Sequence, residues 1–140
     1  MNMLTAEQRD FLLGGTRTGK LATVCKDGRP HVVPIWFDLD GDTLVFNTGH
    51  NSVKAVNIRR DPRVCICVDD ETPPFAFMQI EGIATLSADS DALLHWATRI
   101  GGRYMGADLA EAYGKRNGVA GELLVRVTPT KIRFEKNIAG

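Results

Sequence analysis

Most of this chain alternates apolar and polar residues over short runs; helical spacing of apolar residues appears in only a few places. Residues 5–13 predict a short helix, with Thr5 as cap, Gln8 at the capping-box position, and Gly14 and Gly15 ending it. Residues 19–25 then read as a strand. Asp27-Gly28 supplies a tight turn, and residues 30–37 return. Pro34 interrupts that returning strand and cannot donate to a ladder, so it belongs at an edge, at a bulge, or where something other than a strand lies alongside. A second Asp/Gly turn over 38–42 leads to a third strand over 43–47. Three strands joined by two tight turns predict an antiparallel meander.

The second half repeats the pattern. Residues 52–60 form a short helix and 63–69 a strand; 75–86 make a long strand in which Gly82 marks a kink or bulge. Leu93, Leu94, Trp96, Ala97 and Ile100 put an apolar stripe on a helix over 89–103. Residues 104–121 hold a short helix and a glycine-rich loop, and 122–136 the last strand, broken at Pro129. Hairpin-linked strands dominate, so the expected fold class is mainly β (α+β), a small antiparallel barrel with flanking helices, in one domain over 1–140.

Composition narrows the function classes. With 140 residues, 44% hydrophobic and 24% charged, the chain has the make-up of a globular protein with a real core. Its 17 basic and 17 acidic residues cancel, which gives no general pull toward nucleic acid or membrane. No apolar run is long enough for a bilayer, and the opening MNMLTAEQRD does not read as a secretory signal. Cys25, Cys65 and Cys67 cannot all pair and lie in apolar strand-like runs, so they are expected as reduced core residues of a cytoplasmic protein. No His/Cys set has metal-site spacing, so no metal is expected.

Candidate chemistry concentrates in residues 44–62. A strand (Leu44, Val45, Phe46) runs into a polar turn (Asn47 to Ser52) and then a helix carrying Lys54 and Asn57. Helix-start N–H groups lack intrahelical partners and the dipole there favours anions, so Ser52, Lys54 and the turn suit a phosphate cradle. The same residues also make an ordinary helix capped by Asn51 or Ser52. GGTRTGK (residues 14–20) imitates a phosphate-binding loop but is rejected: Leu21 replaces the magnesium-binding hydroxyl, and the order is helix, loop, strand. Of the histidines at 31, 50 and 95, only His50, in the polar turn, is kept as a site candidate. Trp36, Phe75 and Phe77 offer apolar faces that suit either a core or a flat ring system.

The segments GKLATV (19–24), DGRPHVVPIW (27–36), Ser52-x-Lys54-x-x-Asn57, RRDPRV (59–64), IEGIA (80–84) and RVTPTKI (126–132) follow in an order that resembles the pyridoxamine 5′-phosphate oxidase-like, FMN-binding split-barrel superfamily. Within it the chain looks most like the deazaflavin (coenzyme F420)-dependent oxidoreductases. The resemblance implies a split barrel of six to seven strands, working as a homodimer with cofactor sites at the subunit interface. It implies that Thr48, Ser52, Lys54 and Asn57 hold the phosphate, and that the ring lies against Pro34, Ile35, Trp36 and Asn47. Phe75 and Phe77 are implied to reach the partner's site. FMN-using oxidases of the superfamily carry arginines where Val33 and Val53 stand here, so two charge-assisted phosphate contacts are missing. That tilts the expected cofactor toward F420, with FMN as the alternative. The implied activity is hydride transfer to a small planar unsaturated substrate. No residue is singled out as catalytic; His50 and Tyr104 are the polar candidates for delivering a proton.

Overall fold

The computed structural model describes residues 4–140; the first three residues of the expected domain, and with them the start of the MNMLTAEQRD opening, lie outside the described residues. A short helix, α1 (Ala6–Leu12), begins with the expected capping box: Thr5 Oγ1 accepts from the Gln8 N–H, and Gln8 Oε1 accepts from the Thr5 N–H. There follow β1 (Gly19–Val24), β2 (Pro30–Ile35), β3 (Asp38–Asp40), β4 (Thr43–Gly49) and α2 (Val53–Arg60). The second half runs β5 (Arg63–Asp70), β6 (Ala76–Ser87), α3 (Ser90–Met105), a 3-10 turn (Ala107–Leu109), α4 (Ala110–Asn117) and β7 (Glu122–Glu135).

All seven strands form one antiparallel sheet in the order β2-β1-β5-β6-β7-β4-β3. This corrects the expected meander. The first hairpin is present, but β2 forms one edge of the sheet while the third expected strand, β4, pairs with β7 and β3 near the other. Residues 38–42 are not all turn: Asp38–Asp40 is itself a strand, and Gly41-Asp42 closes a two-residue hairpin with Gly41 at φ 62°. The third strand also continues past Asn47 to Gly49, because Thr48 and Gly49 pair with Leu123 and Glu122 of β7.

The sheet closes on itself through the chain between its two edges. β2 ends at Ile35 and β3 begins at Asp38, so only Trp36 and Phe37 join the outermost strands. Three Cα steps span no more than about 11 Å, which rolls the sheet into a barrel with a seam at this link. Ile35 and Leu39, from opposite edges, accordingly share one core with Leu21, Phe46, Ile66, Met78 and Ile80. Phe37 points into that core and is fully buried, worth about 1.5–3 kcal/mol.

Gly82 sits at the expected bulge, where the β6–β7 register shifts. Only glycine fits, since a Cβ there would lie 2.6 Å from Val127 Cγ1 and 2.7 Å from the Thr128 carbonyl oxygen. β7 runs unbroken through Pro129.

A second apolar cluster lies outside the barrel. Leu93, Trp96 and Ile100 of α3 cover Val45 and Leu124, the outward residues of β4 and β7. Strands buried on both faces read as continuous apolar runs, as in Leu44-Val45-Phe46. On β1, β2, β5 and β6 the outer face carries no helix in that cluster, and Val32 is 64% exposed and Ile83 40%. Cys65 and Cys67 belong to this outer face and are half-buried, as is Cys25, so the cysteines are free but outside the core where they were expected. The alternation Val64-Ile66-Val68 takes the inward positions and leaves the thiols outside.

Candidate cofactor site

At the seam, the outward side of the barrel and the α3–α4 helix pair enclose a cleft of about 290 Å³. Five of the ten expected site residues meet there: Pro34, Ile35, Trp36, Asn47 and Lys54. Each is placed by a different constraint. Pro34 lies on the edge strand β2, where a missing N–H costs no ladder bond on the open side. Trp36 is the first residue of the seam link and stacks on Tyr104 of α3, with ring centroids 5.0 Å apart and an interplanar angle of 3°. Asn47 leaves the outer face of β4 beside Leu124 of β7. Lys54 occupies the first turn of α2.

Ile100, Asn117 and Glu122 complete the cleft, and sequence reading missed all three. Glu122 arrives there because the β4–β7 register sets it opposite Gly49. That pairing joins residues 73 positions apart, and no local pattern announces it. Asn47 Nδ2 donates to the Asn117 carbonyl at 3.0 Å and to Glu122 Oε1 at 3.3 Å. Two acceptors on one side fix the amide, so its Oδ1 is left free to accept from a ligand.

Lys54 is the chemically unusual member. It is half-buried, burial pushes its pKa below the ordinary lysine value, and the Glu122 charge only partly offsets this. Among the described residues its ammonium makes no hydrogen bond and no ion pair. A desolvated cation with no hydrogen-bonded partner costs free energy that a bound anion would offset.

The turn behind Lys54 is ordered rather than open. Thr48 Oγ1 and Ser52 Oγ share a hydrogen bond of 2.8 Å, and Ser52 Oγ accepts from the Ala55 N–H at 3.2 Å. Ser52 is thus the N-cap, and Asn51 is not. The N–H groups of Val53 and Lys54 remain at the helix start, where the dipole favours an anion.

The structure does not bring Asn57 to the cleft. It is 3% exposed, its Nδ2 donates to Thr23 Oγ1 of β1 at 3.0 Å, and its Oδ1 accepts from Arg60 at 3.1 Å. These bonds dock α2 on the barrel. Phe75 and Phe77 are also absent from the cleft within the protomer. Phe75 precedes β6, has φ 67°, and lines a separate cavity of about 390 Å³ with Phe11, Pro74 and Phe134. Phe77 lies under the Arg133 guanidinium, 5.6 Å from the ring centroid.

Neither candidate proton donor lines the cleft. His50 Nδ1 lies 3.0 Å from the Gly121 carbonyl oxygen. Tyr104 sits in α3, not in the following loop; its hydroxyl donates to the Arg17 carbonyl at 2.7 Å and accepts from the Phe37 N–H at 3.2 Å. Burial raises the Tyr104 pKa above its ordinary value.

The seam of the barrel thus brings a half-buried ammonium with no hydrogen bond among the described residues beside Pro34, Ile35 and Trp36. The chain belongs to the pyridoxamine 5′-phosphate oxidase family, whose model matches residues 4–136. It is similar to the conserved hypothetical protein Rv2991 from Mycobacterium tuberculosis, at 29% identity over 98% of this chain and 87% of that one, with a TM-score of 0.83. It is also 29% identical to an F420 reductase over 89% of this chain and 94% of that one, with a TM-score of 0.72. The heme storage protein HutZ from Vibrio cholerae shares the fold at 20% identity, over 94% of each chain, with a TM-score of 0.71. No helix among the described residues is long and apolar enough to cross a membrane.

Proposed function

We propose that the cleft holds coenzyme F420 and that the protein is an F420-dependent reductase of small planar unsaturated substrates, active as a homodimer in the cytoplasm. The observation that carries this reading is Lys54: a half-buried ammonium with no hydrogen bond among the described residues, at a helix start, beside an apolar wall. Lys54 and the adjacent N–H groups of α2 would hold the anionic part of the cofactor. Pro34, Ile35 and Trp36 would lie along its ring, and the Asn47 Oδ1 would accept a hydrogen bond from the ring edge. When bound and reduced, a deazaflavin supplies a hydride. The chain's own part is to position the ring, leave one face open to substrate, and keep water from the other. With His50 and Tyr104 committed to backbone, no side chain of the cleft is assigned to proton transfer.

FMN is the alternative. It is disfavoured because Val33 and Val53 stand where FMN oxidases place arginines, and Val53 is 51% exposed with no charge to offer. Family membership and the 29% identity to an F420 reductase support the reading.

The dimer is supported by the uncovered apolar face of β1, β2, β5 and β6, where Val32 and Ile83 are exposed beside half-buried Ala22, Val24 and Cys65. A cleft of about 290 Å³ also lies at the low edge of ligand pockets, roughly 300–1,000 Å³, so a second wall from a partner fits. Three free cysteines suit a reducing compartment.

Titrating the purified protein with F420 and with FMN, each followed by fluorescence, tests the cofactor. Tighter binding of F420 is expected, and tighter binding of FMN would replace this reading with the alternative. Sedimentation at micromolar concentration should give a dimer; a monomer there would remove the second wall.

A further inference from the structure

Glu122 is a carboxylate in a cleft read as an anion site, and the proposed chemistry gives it no task. Its Oε1 accepts from Asn47 Nδ2 at 3.3 Å. Its Oε2 lies against Gly49, 3.3 Å from where a Cβ would stand, and makes no hydrogen bond among the described residues. A Cβ at residue 49 would press on this carboxylate and shift it by a few tenths of an ångström. The other cations of α2 do not line the cleft. Arg59 donates to the His50 carbonyl at 2.7 Å, and Arg60 is spent on the Val24 carbonyl and Asn57. Lys54 and Glu122 are the charged side chains lining the cleft, and they cancel.

We propose that Glu122 is a specificity-determining residue: it makes the cleft accept a singly charged phosphodiester on a hydroxylated chain and reject a doubly charged phosphomonoester. This rests on the reading of the cleft as a cofactor site. A phosphomonoester carries about −1.5 to −2 at neutral pH, because its second pKa is about 6. It would meet one cation and one repelling carboxylate. A phosphodiester carries a single charge that Lys54 alone can match. The hydroxyls of a polyol are donors, and the free Glu122 Oε2 and Asn47 Oδ1 are acceptors to receive them. Glu122 thus favours the ligand whose phosphate is esterified twice and disfavours the one whose phosphate ends the chain. The same ring with either tail would be sorted by charge, not by shape.

The test uses riboflavin, FMN and F420 with the full-length wild type and with Glu122→Gln, which keeps the side chain's size. Riboflavin carries the ring without a phosphate and reports whether each protein is folded and its ring wall intact. In the wild type, FMN should bind no tighter than riboflavin. Glu122→Gln should tighten FMN by about tenfold or more, the effect of removing one charge near a dianion, and leave riboflavin within about twofold. FMN binding tenfold tighter than riboflavin in the wild type overturns the inference, as does an unchanged FMN affinity in the variant. If Glu122→Gln does not fold, Glu122→Ala carries the same comparison of FMN with riboflavin. No binding of F420, with FMN and riboflavin bound equally weakly, would overturn both the acceptance of a phosphodiester and the F420 assignment, whereas FMN tightened by Glu122→Gln with F420 bound supports both. No binding of any of the three to the wild type removes both.

Discussion

Two half-buried cations sit on either side of the seam and are treated in opposite ways. Arg103 of α3 donates to the carbonyls of Phe37 at 2.5 Å and Leu12 at 2.8 Å, with Arg17 at 3.5 Å, and lies over the rings of Phe37 and Tyr104. Burial lowers its pKa from the ordinary arginine value, and Tyr104 and Asp38 act in the other direction. Lys54 is also half-buried, and its pKa is also pushed down by burial, yet it has no bonded partner among the described residues. The fold thus uses a planar, always-charged guanidinium where backbone carbonyls must be gathered. It leaves an ammonium without a hydrogen bond in the cleft proposed to hold an anion. Arg103 spends its two terminal nitrogens on the architecture and leaves only its Nε without a partner, whereas the whole Lys54 ammonium is free to meet a ligand.

This contrast can be broken most visibly at Arg103. Arg103→Met should cost about 3 kcal/mol of unfolding free energy, because three carbonyls from α1, the following loop and the seam lose a charged donor. Chemical denaturation measures it, and a loss under about 1 kcal/mol would make the clamp ornamental. Next comes Lys54→Ala, which should weaken F420 by about 1.5–3 kcal/mol, the scale of one charged hydrogen bond, while moving stability by less than about 1 kcal/mol. Loss of stability without loss of affinity would reverse the assignment. Tyr104→Phe should cost about 1 kcal/mol of stability, since the hydroxyl links the Phe37 N–H to the Arg17 carbonyl.

The smallest effect is a pH dependence. Because folding lowers the Lys54 pKa below the unfolded value, the unfolded chain binds more protons in the window between the two. Stability contributed by this group should therefore rise, not fall, as pH climbs from the folded pKa toward the ordinary lysine value of 10.5. F420 affinity should move the opposite way over that window, as the ammonium discharges. A Lys54→Met comparison isolates both trends, and parallel curves for the two proteins would remove Lys54 from either.

Much of the barrel was legible because its devices are local. The Thr5–Gln8 capping box, the Asp27-Gly28 turn and the Gly82 bulge each depend on a few adjacent residues. The meander was misread because tight turns show that neighbouring strands are antiparallel, not that a third strand joins them. Whether β4 pairs with β2 or with β7 depends on contacts across the whole chain. The site divides along the same line. Pro34, Ile35, Trp36 and Lys54 lie on segments whose local pattern marks them. Glu122 and Asn117 reach the cleft only through long-range pairing and helix docking, so nothing near them in the chain could point there. Asn57 misled in the other direction: a polar residue one turn past Lys54 looks like part of the same face, but α2 turns it inward onto Thr23.

The two-residue link of Trp36 and Phe37 has a consequence for how the protein folds. It holds together the two ends of a sheet whose other connections run through about a hundred residues of chain. The β4–β7 pairing that carries β3 round to β2 joins residues more than seventy positions apart and costs loop entropy before any contact repays it, so closure of the barrel comes late. The cleft does not exist until then. A cofactor bound there has affinity for the closed chain alone and draws the folding equilibrium toward it by mass action, about 2.7 kcal/mol at a hundred times its dissociation constant. Cells that make the cofactor would therefore hold more of this protein intact than cells that do not.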